Sequence, residues 1–394
     1  MAVPPHPSAW TADDARAVTQ LMLLAVALRV GTALVAFFVN ATFPLERPEQ
    51  FTMLGETHVF WDTFARNDSG WYYGIASRGY QWVADGRNNL AFFPAYPLLM
   101  GLVGRVFGGT QADVYFGGIV VSWVASVAAI GLVYATARLD LERERAWHAA
   151  LLTFVFPFAF FFGVVYSEAL FALALAGAIF GLRTRRWLLG VVCGALMTAT
   201  RVNGVMAVPA LVWLAWVAAA PTSLSRFRAV VAGLSTSLGL AAYCVYNWRV
   251  AGDPFEWYYA ITRWGYQPGV TLAGNPVLTL LTNLTARPYD YLVNEHAAPY
   301  DILNGLFPLL MLATLPWLWR RLGAGYALLI AANLALPLSS GQFEGLGRYS
   351  AVLFPFQIWV AAAASESGRT LVYAGYGLLY GLALTLFTTL HPIF

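Results

Sequence analysis

The stretch Phe60 to Tyr80, FWDTFARNDSGWYYGIASRGY, places two carboxylates, Asp62 and Asp68, among aromatic side chains directly after the first long hydrophobic segment. Asp68-Ser69-Gly70 ahead of Trp71-Tyr72-Tyr73 is a good helix start, because an Asp side chain can accept the free N–H groups of a first turn. Read that way, the stretch is a capped helix at a membrane surface with its Trp and Tyr rings in the headgroup belt. Read the other way, a carboxylate that stays ionised beside hydrated surface is a candidate acid or base. Asn67-Asp68-Ser69 also matches a glycosylation acceptor, a weak motif in so crowded a place.

What surrounds the stretch is apolar. With 59% hydrophobic and 11% charged residues over 394 positions, the chain has too little polar surface for a soluble globule, where about a quarter of residues are charged. Apolar stretches of roughly 15–25 residues recur along the whole chain, long enough to cross a hydrocarbon layer as helices. The expectation is an all-α polytopic membrane protein forming one domain over residues 1–394. The net charge of +3 is small and its basic residues, all Arg, lie in short loops, which argues against nucleic acid as a partner. Cys193 and Cys244 fall inside apolar segments and read as packing residues. His58 and His296 stand alone without ligand spacing, so neither a metal nor a cofactor is expected. Met1 to Thr19 carries Asp13 and Asp14 before the first apolar run and lacks a signal-peptide pattern, so the first segment is expected to be retained.

Positive charge orients the spans. Arg138, Arg143 and Arg145, then Arg183, Arg185 and Arg186, then Arg226 and Arg228, then Arg320 and Arg321 mark four loops for the cytoplasmic side. Parity between them gives about eleven transmembrane helices in a cell-membrane, multi-pass chain. The first external loop runs from about 40 to 113 and a second from about 250 to 300. The apolar run Phe92 to Phe107 is broken by Pro94 and Pro97. If it crossed, Arg138 to Arg145 would be forced outside, so it reads as a helix lying at the interface, with a second such helix after Asp68. Asp62, Asp68, Glu168, Asp253 and Glu344 then all face outward.

Three further features accompany them. Trp257 to Gln267 aligns without gaps to Trp71 to Gln81 with seven of eleven positions identical, either because two interfacial helices share an aromatic vocabulary or because both shape one cavity from opposite sides. Glu168 and Arg201 sit at successive turns between spans, where charge is expensive unless paired or facing water. Glu344 and Arg348 flank a glycine-rich turn before Tyr349, whose open backbone N–H groups beside an outward Arg suit a phosphate.

Asp68-Ser69-Gly70-Trp71-Tyr72, Phe92-Phe93-Pro94-Ala95-Tyr96-Pro97, Phe156-Pro157 through Phe162 with Tyr166-Ser167-Glu168, Thr200-Arg201, Gly252-Asp253-Pro254, and Leu338 to Gly341 with Arg348-Tyr349 occur in this order. Together they resemble the PIG-V family, the second mannosyltransferase of GPI-anchor synthesis and its bacterial relatives. The resemblance implies a GT-C-type membrane glycosyltransferase that takes a sugar, mannose, from a polyprenyl-phosphate donor and passes it to a lipid or glycan acceptor among the membrane lipids at the outer face. It also implies an acidic base in the first external loop, which falls on Asp68. Family members commonly carry an aromatic before that residue where this chain has Asn67, and Trp61-Asp62 supplies a second Trp-Asp pair, so Asp62 is the alternative.

A phosphate leaving group asks for a cation to hold the departing charge, and the attacking hydroxyl asks for a base. One carboxylate and direct displacement would invert the anomeric centre. Asp68 is thus expected as base, with Arg348 and either Arg201 or Arg263 holding phosphate. Glu168 and Asp253 are expected to shape the sugar site, with Trp71, Tyr72, Glu344 and Tyr349 as further substrate contacts. A transporter or flippase for a lipid-linked sugar would place its charges near the midplane on broken helices with inverted repeats, whereas here they collect at outer span ends. A non-catalytic subunit that binds the same lipid is the other alternative.

Overall fold

A computed structural model describes residues 10–46, 48–54, 59–84, 86–265, 276–339 and 343–393. Of the sequence reading, His58, Tyr266, Gln267 and the 340–342 part of the outer turn lie outside these. Among the described residues the chain is helical without strands, apart from one isolated antiparallel bridge between Thr52 and Arg66.

Among the described residues, four helices are each long and apolar enough to cross a membrane: Ala12–Thr42, Gln111–Ala137, Ala298–Leu322 and Glu366–Thr388. The bent pair Ser223–Ser235 and Leu238–Ala251, angled by 42°, makes a fifth if it acts as one span. Other expected crossings map onto shorter apolar helices, among them Trp187–Thr200, Asn203–Ala218 and Ala324–Leu338. A 14-residue helix such as Trp187–Thr200 rises only about 21 Å, less than a hydrocarbon layer of ~30 Å.

The Arg loops converge on one end of the bundle. Asp14, in the first turn of Ala12–Thr42, accepts from Arg138 Nε at 2.9 Å, and Arg143 Nη1 donates to Asp13 at 2.8 Å. Arg183 Nη2 donates to Asp140 at 2.8 Å, and Arg145 and Arg321 both donate to the Ala362 carbonyl. The N-terminal helix starts at this end and Gln111–Ala137 finishes there, so the chain between them stays at the other end. Gln111 Nε2 donates to the Met53 carbonyl there at 3.1 Å.

The helix of the Phe92 to Phe107 run, Ala95–Val106, lies at that same end, packs against Gln111–Ala137 and leaves Leu98, Leu102 and Val106 exposed. Close approach needs glycine: a Cβ on Gly104 would lie 2.6 Å from the Val114 Cα, the small-residue contact by which membrane helices meet. Tyr96 then reaches across to donate to the Gly118 carbonyl at 3.0 Å.

The middle of the bundle is irregular. Between Arg143–Phe154 and Glu168–Arg183 the chain makes only a short 3-10 turn, Ala159–Phe162, and Phe156 to Glu168 is buried throughout. Non-helical backbone at such depth is tolerated only where protein covers it and satisfies its carbonyls. Arg29, 1% exposed in the first span, does this by donating to the carbonyl of Ala159 at 2.8 Å and of Phe154 at 3.4 Å. A buried cation that meets no carboxylate among the described residues is thereby spread over peptide dipoles, and the irregular segment becomes a fixed floor under the Phe60–Tyr80 stretch.

Candidate active site

The floor and the stretch are stitched together by backbone. Val165 N–H donates to the Phe64 carbonyl at 2.9 Å, Ser69 Oγ donates to the Val165 carbonyl at 3.1 Å, and Asp68 N–H donates to Tyr166 Oη at 3.3 Å. Asn67 adopts a left-handed φ of 48°, a conformation that Asn tolerates better than most residues. That turn swings the chain so that Asp68 points away from Asp62.

The two carboxylates meet different fates. Asp62 is 3% exposed, ion-paired with Arg66, and its Oδ1 accepts the N–H groups of Met53 at 3.0 Å and Leu54 at 2.8 Å. Arg66 in turn donates to Asn40 Oδ1 at 2.8 Å, tying this brace to the end of the first span. Asp68 instead pairs with Arg348 across 280 residues of chain, Nη1 to Oδ2 at 2.7 Å. The capping expectation for Asp68 is corrected here: it precedes Ser69–Arg78 in helical conformation and its side chain makes no cap bond. A charge-assisted bond of about 1.5–3 kcal/mol outweighs a cap of about 1 kcal/mol.

Behind that pair lies a second one. Arg201 is ion-paired with Glu168 and donates to Ser167 Oγ at 3.2 Å, while Arg348 Nε lies 3.9 Å from Glu168. Tyr349 lies under both guanidiniums, Arg201 at 4.9 Å and Arg348 at 5.8 Å from its ring centre, and Tyr166 lies 5.4 Å from Arg348. Such stacking suits the weakly hydrated, planar guanidinium. Tyr72 Oη shares a hydrogen bond with Ser167 Oγ at 3.1 Å. Burial opposes the charge on Arg348, but Asp68 and Glu168 outweigh it and hold the guanidinium well above its ordinary range. Among the described residues, Arg348 Nε and Glu168 Oε2 are buried without a hydrogen-bond partner, an arrangement that ordinarily needs an explanation.

Asp68, Arg348, Tyr349 and Glu344 line a pocket of about 240 Å³ whose walls include Phe92, Trp257, Tyr258, Trp264 and Leu336. The second aromatic repeat thus builds a wall. Its helix, Glu256–Arg263, faces the pocket with Trp257, Tyr258 and Ile261, whereas the first repeat follows Asp68 and packs Trp71 behind the wall, 4.7 Å from the Trp264 ring. Arg263 does not join the cluster: it pairs with Glu256 at 2.6 Å, and Glu256 also accepts from Asn88 at 3.2 Å. Asp253 accepts the Phe255 N–H at 2.7 Å, closing a local turn away from the charges. Glu256, a buried acid that the sequence reading left unassigned, anchors the wall through Asn88. Its only sequence signal was its place directly before Trp257. Among the described residues no group of three His, Cys, Asp or Glu side chains stands ready to hold a metal ion.

A model of the family described as Mannosyltransferase (PIG-V) matches residues 19–236, just over half of the chain. Among solved structures the chain is similar to the oligosaccharyltransferase of Archaeoglobus fulgidus. Against its apo form the identity is 13% and the TM-score 0.46, covering 94% of this chain and 56% of that one. Against the form tethered to an acceptor peptide the identity is 14% and the TM-score 0.44, covering 94% and 55%. Against the AglB complex with an inhibitory peptide and a dolichol-phosphate the identity is 14% and the TM-score 0.42, covering 94% and 56%. The chain spans about half the length of these structures, and no curated protein sequence matches it.

Proposed function

Because this membrane-embedded chain belongs to the mannosyltransferase (PIG-V) family, we propose that it is a GT-C-type inverting mannosyltransferase using a polyprenyl-phosphate sugar, with Asp68 as general base. The observation that carries the reading is the Asp68–Arg348 pair at 2.7 Å on the edge of an aromatic-walled pocket. At about 240 Å³ the pocket falls below the ~300–1,000 Å³ of sites that engulf whole ligands. It suits a sugar-phosphate head whose prenyl chain stays in lipid.

The chemistry follows from what each residue can hold. Arg348 offers its guanidinium to the donor phosphate, and Arg201 adds positive charge behind it. As phosphate takes a share of the guanidinium, Asp68 is released to accept the acceptor hydroxyl proton. The acceptor oxygen bonds to the anomeric carbon, the carbon–oxygen bond to phosphate breaks with its electrons, and polyprenyl phosphate departs with Arg348 countering its charge. Attack opposite to the leaving group inverts the centre. Glu168 holds Arg201 and Arg348 in register. Asp62 is assigned to the brace and not to proton transfer, since Arg66 and two N–H groups already engage its oxygens.

The eleven-span, outer-face topology belongs to the same reading and is supported by the gathering of the Arg loops at the end opposite Asp68. The test is transfer from labelled polyprenyl-phosphate mannose by the purified full-length protein. Loss in Asp68→Asn with a folded protein supports the assignment; wild-type turnover in Asp68→Asn refutes it.

A further inference from the structure

A second cavity, of about 830 Å³, opens beyond Glu344 and is formed with Glu46, Thr279, Asn283, Tyr291 and Asp301. Glu344 lines this cavity and the Asp68 pocket alike. We propose that this cavity binds the acceptor as a phosphate-free, hydroxyl-rich glycan end, with Glu344 positioning its attacking residue toward Asp68. The proposal rests on the transferase reading above for the direction of attack, but not for the binding itself.

Size, charge and hydrogen-bonding capacity each narrow the ligand. The volume lies within the ~300–1,000 Å³ of sites that enclose a small ligand, so several sugar rings fit where the neighbouring pocket holds one head. Among the described lining residues there are three carboxylates, of Glu46, Asp301 and Glu344, one histidine, His296, and no Arg. Anionic groups such as phosphate are repelled there and are left to Arg348. A hydrocarbon ligand would strip water from the carboxylates without replacing its hydrogen bonds. Vicinal hydroxyls do replace them, because each carboxylate accepts through two oxygens while an amide such as Asn283 both donates and accepts.

The wall is also tied to the reaction centre. Asn304, on the cavity side of Ala298–Leu322, accepts the Gly347 N–H at 3.2 Å, one residue before Arg348. Tyr291 donates to Asp301 at 3.3 Å and braces the far side. Burial pushes the Glu344 carboxyl above its ordinary range, against the opposing pull of Arg348.

The experiment fills the cavity from its exposed rim with Thr279→Trp. The thermal midpoint of the purified full-length protein is measured with mannotriose, with a phosphorylated mannotriose, and with polyprenyl phosphate. Mannotriose is expected to raise the wild-type midpoint, and the phosphorylated sugar to need at least tenfold more. Thr279→Trp is expected to weaken the mannotriose response at least tenfold while unfolding with wild-type cooperativity and keeping its response to polyprenyl phosphate. An equal mannotriose response in both proteins, no response in the wild type, or equal binding of the phosphorylated sugar overturns the proposal. Absence of sugar transfer alongside the expected binding pattern would sink the transferase reading and leave the glycan cavity standing.

Discussion

Asp62 and Asp68 lie six residues apart in one stretch, both beside an Arg, and yet they are opposite kinds of carboxylate. Asp62 closes a short i,i+4 pair with Arg66 and spends its remaining capacity on the N–H groups of Met53 and Leu54. Asp68 closes a pair with a residue 280 positions away and faces a pocket. The first arrangement can only hold the loop; the second leaves a carboxylate facing a pocket. What separates them is the number of fixed donors around each group, not residue type or local sequence.

That contrast can be broken experimentally, and the largest effect belongs to Asp68. Asp68→Asn is expected to cut kcat/KM for sugar transfer by roughly 10²–10⁴-fold, the usual size of general-base catalysis. Its unfolding midpoint should move little, because Glu168 still faces Arg348 at 3.9 Å.

Arg66→Met should do the reverse. It leaves the buried Asp62 without its cation and is expected to cost about 3–5 kcal/mol of stability in denaturant unfolding. Adding Asp62→Asn to Arg66→Met should recover most of that loss, since removing both partners relieves the stranded charge. If the double variant remains as unstable as the single, Asp62 is not the charge being stranded.

Arg348→Lys keeps the charge but loses the fork that, in the proposed reaction, serves Asp68 and phosphate together. A donor KM raised by about 10–100-fold is expected, corresponding to a charge-assisted bond of about 1.5–3 kcal/mol, with acceptor KM changed far less. The smallest effect concerns Glu344. Burial raises its folded pKa above the ordinary 4.5, so the fold favours its protonated form. Its contribution is complete below about pH 4.5 and declines as pH rises through the raised value. Glu344→Gln should therefore unfold at a higher temperature than wild type at pH 7, with the difference vanishing in acid.

Much of this was legible in the chain. Hydrophobic length marked the membrane class, and the Arg clusters marked one end of the bundle because like loops must return to like sides. The ordered motifs pointed to the family and put Asp68, Glu168, Arg201 and Arg348 on one short list. The family match ends at residue 236, so Arg348 and the Trp257–Trp264 wall enter the site from outside it. Two readings did not survive contact with distance. Asp68 was a plausible cap by its neighbours, but Arg348 takes its carboxylate; Arg263 was a plausible phosphate ligand, but Glu256 takes its charge. Local sequence shows which groups are near in number, whereas a salt bridge is decided by which are near in space.

The sequence by itself therefore determined that the chain is helical and membrane-embedded, because burial of apolar length acts segment by segment. Only the tertiary structure decided which carboxylate faces a pocket, which arginine answers it, and that a second, acidic cavity opens at Glu344. Those outcomes depend on the irregular Phe156 to Glu168 floor, held by Arg29, bringing residue 68 to residue 348. Charges so far apart in the chain meet only when packing has already fixed the helices between them.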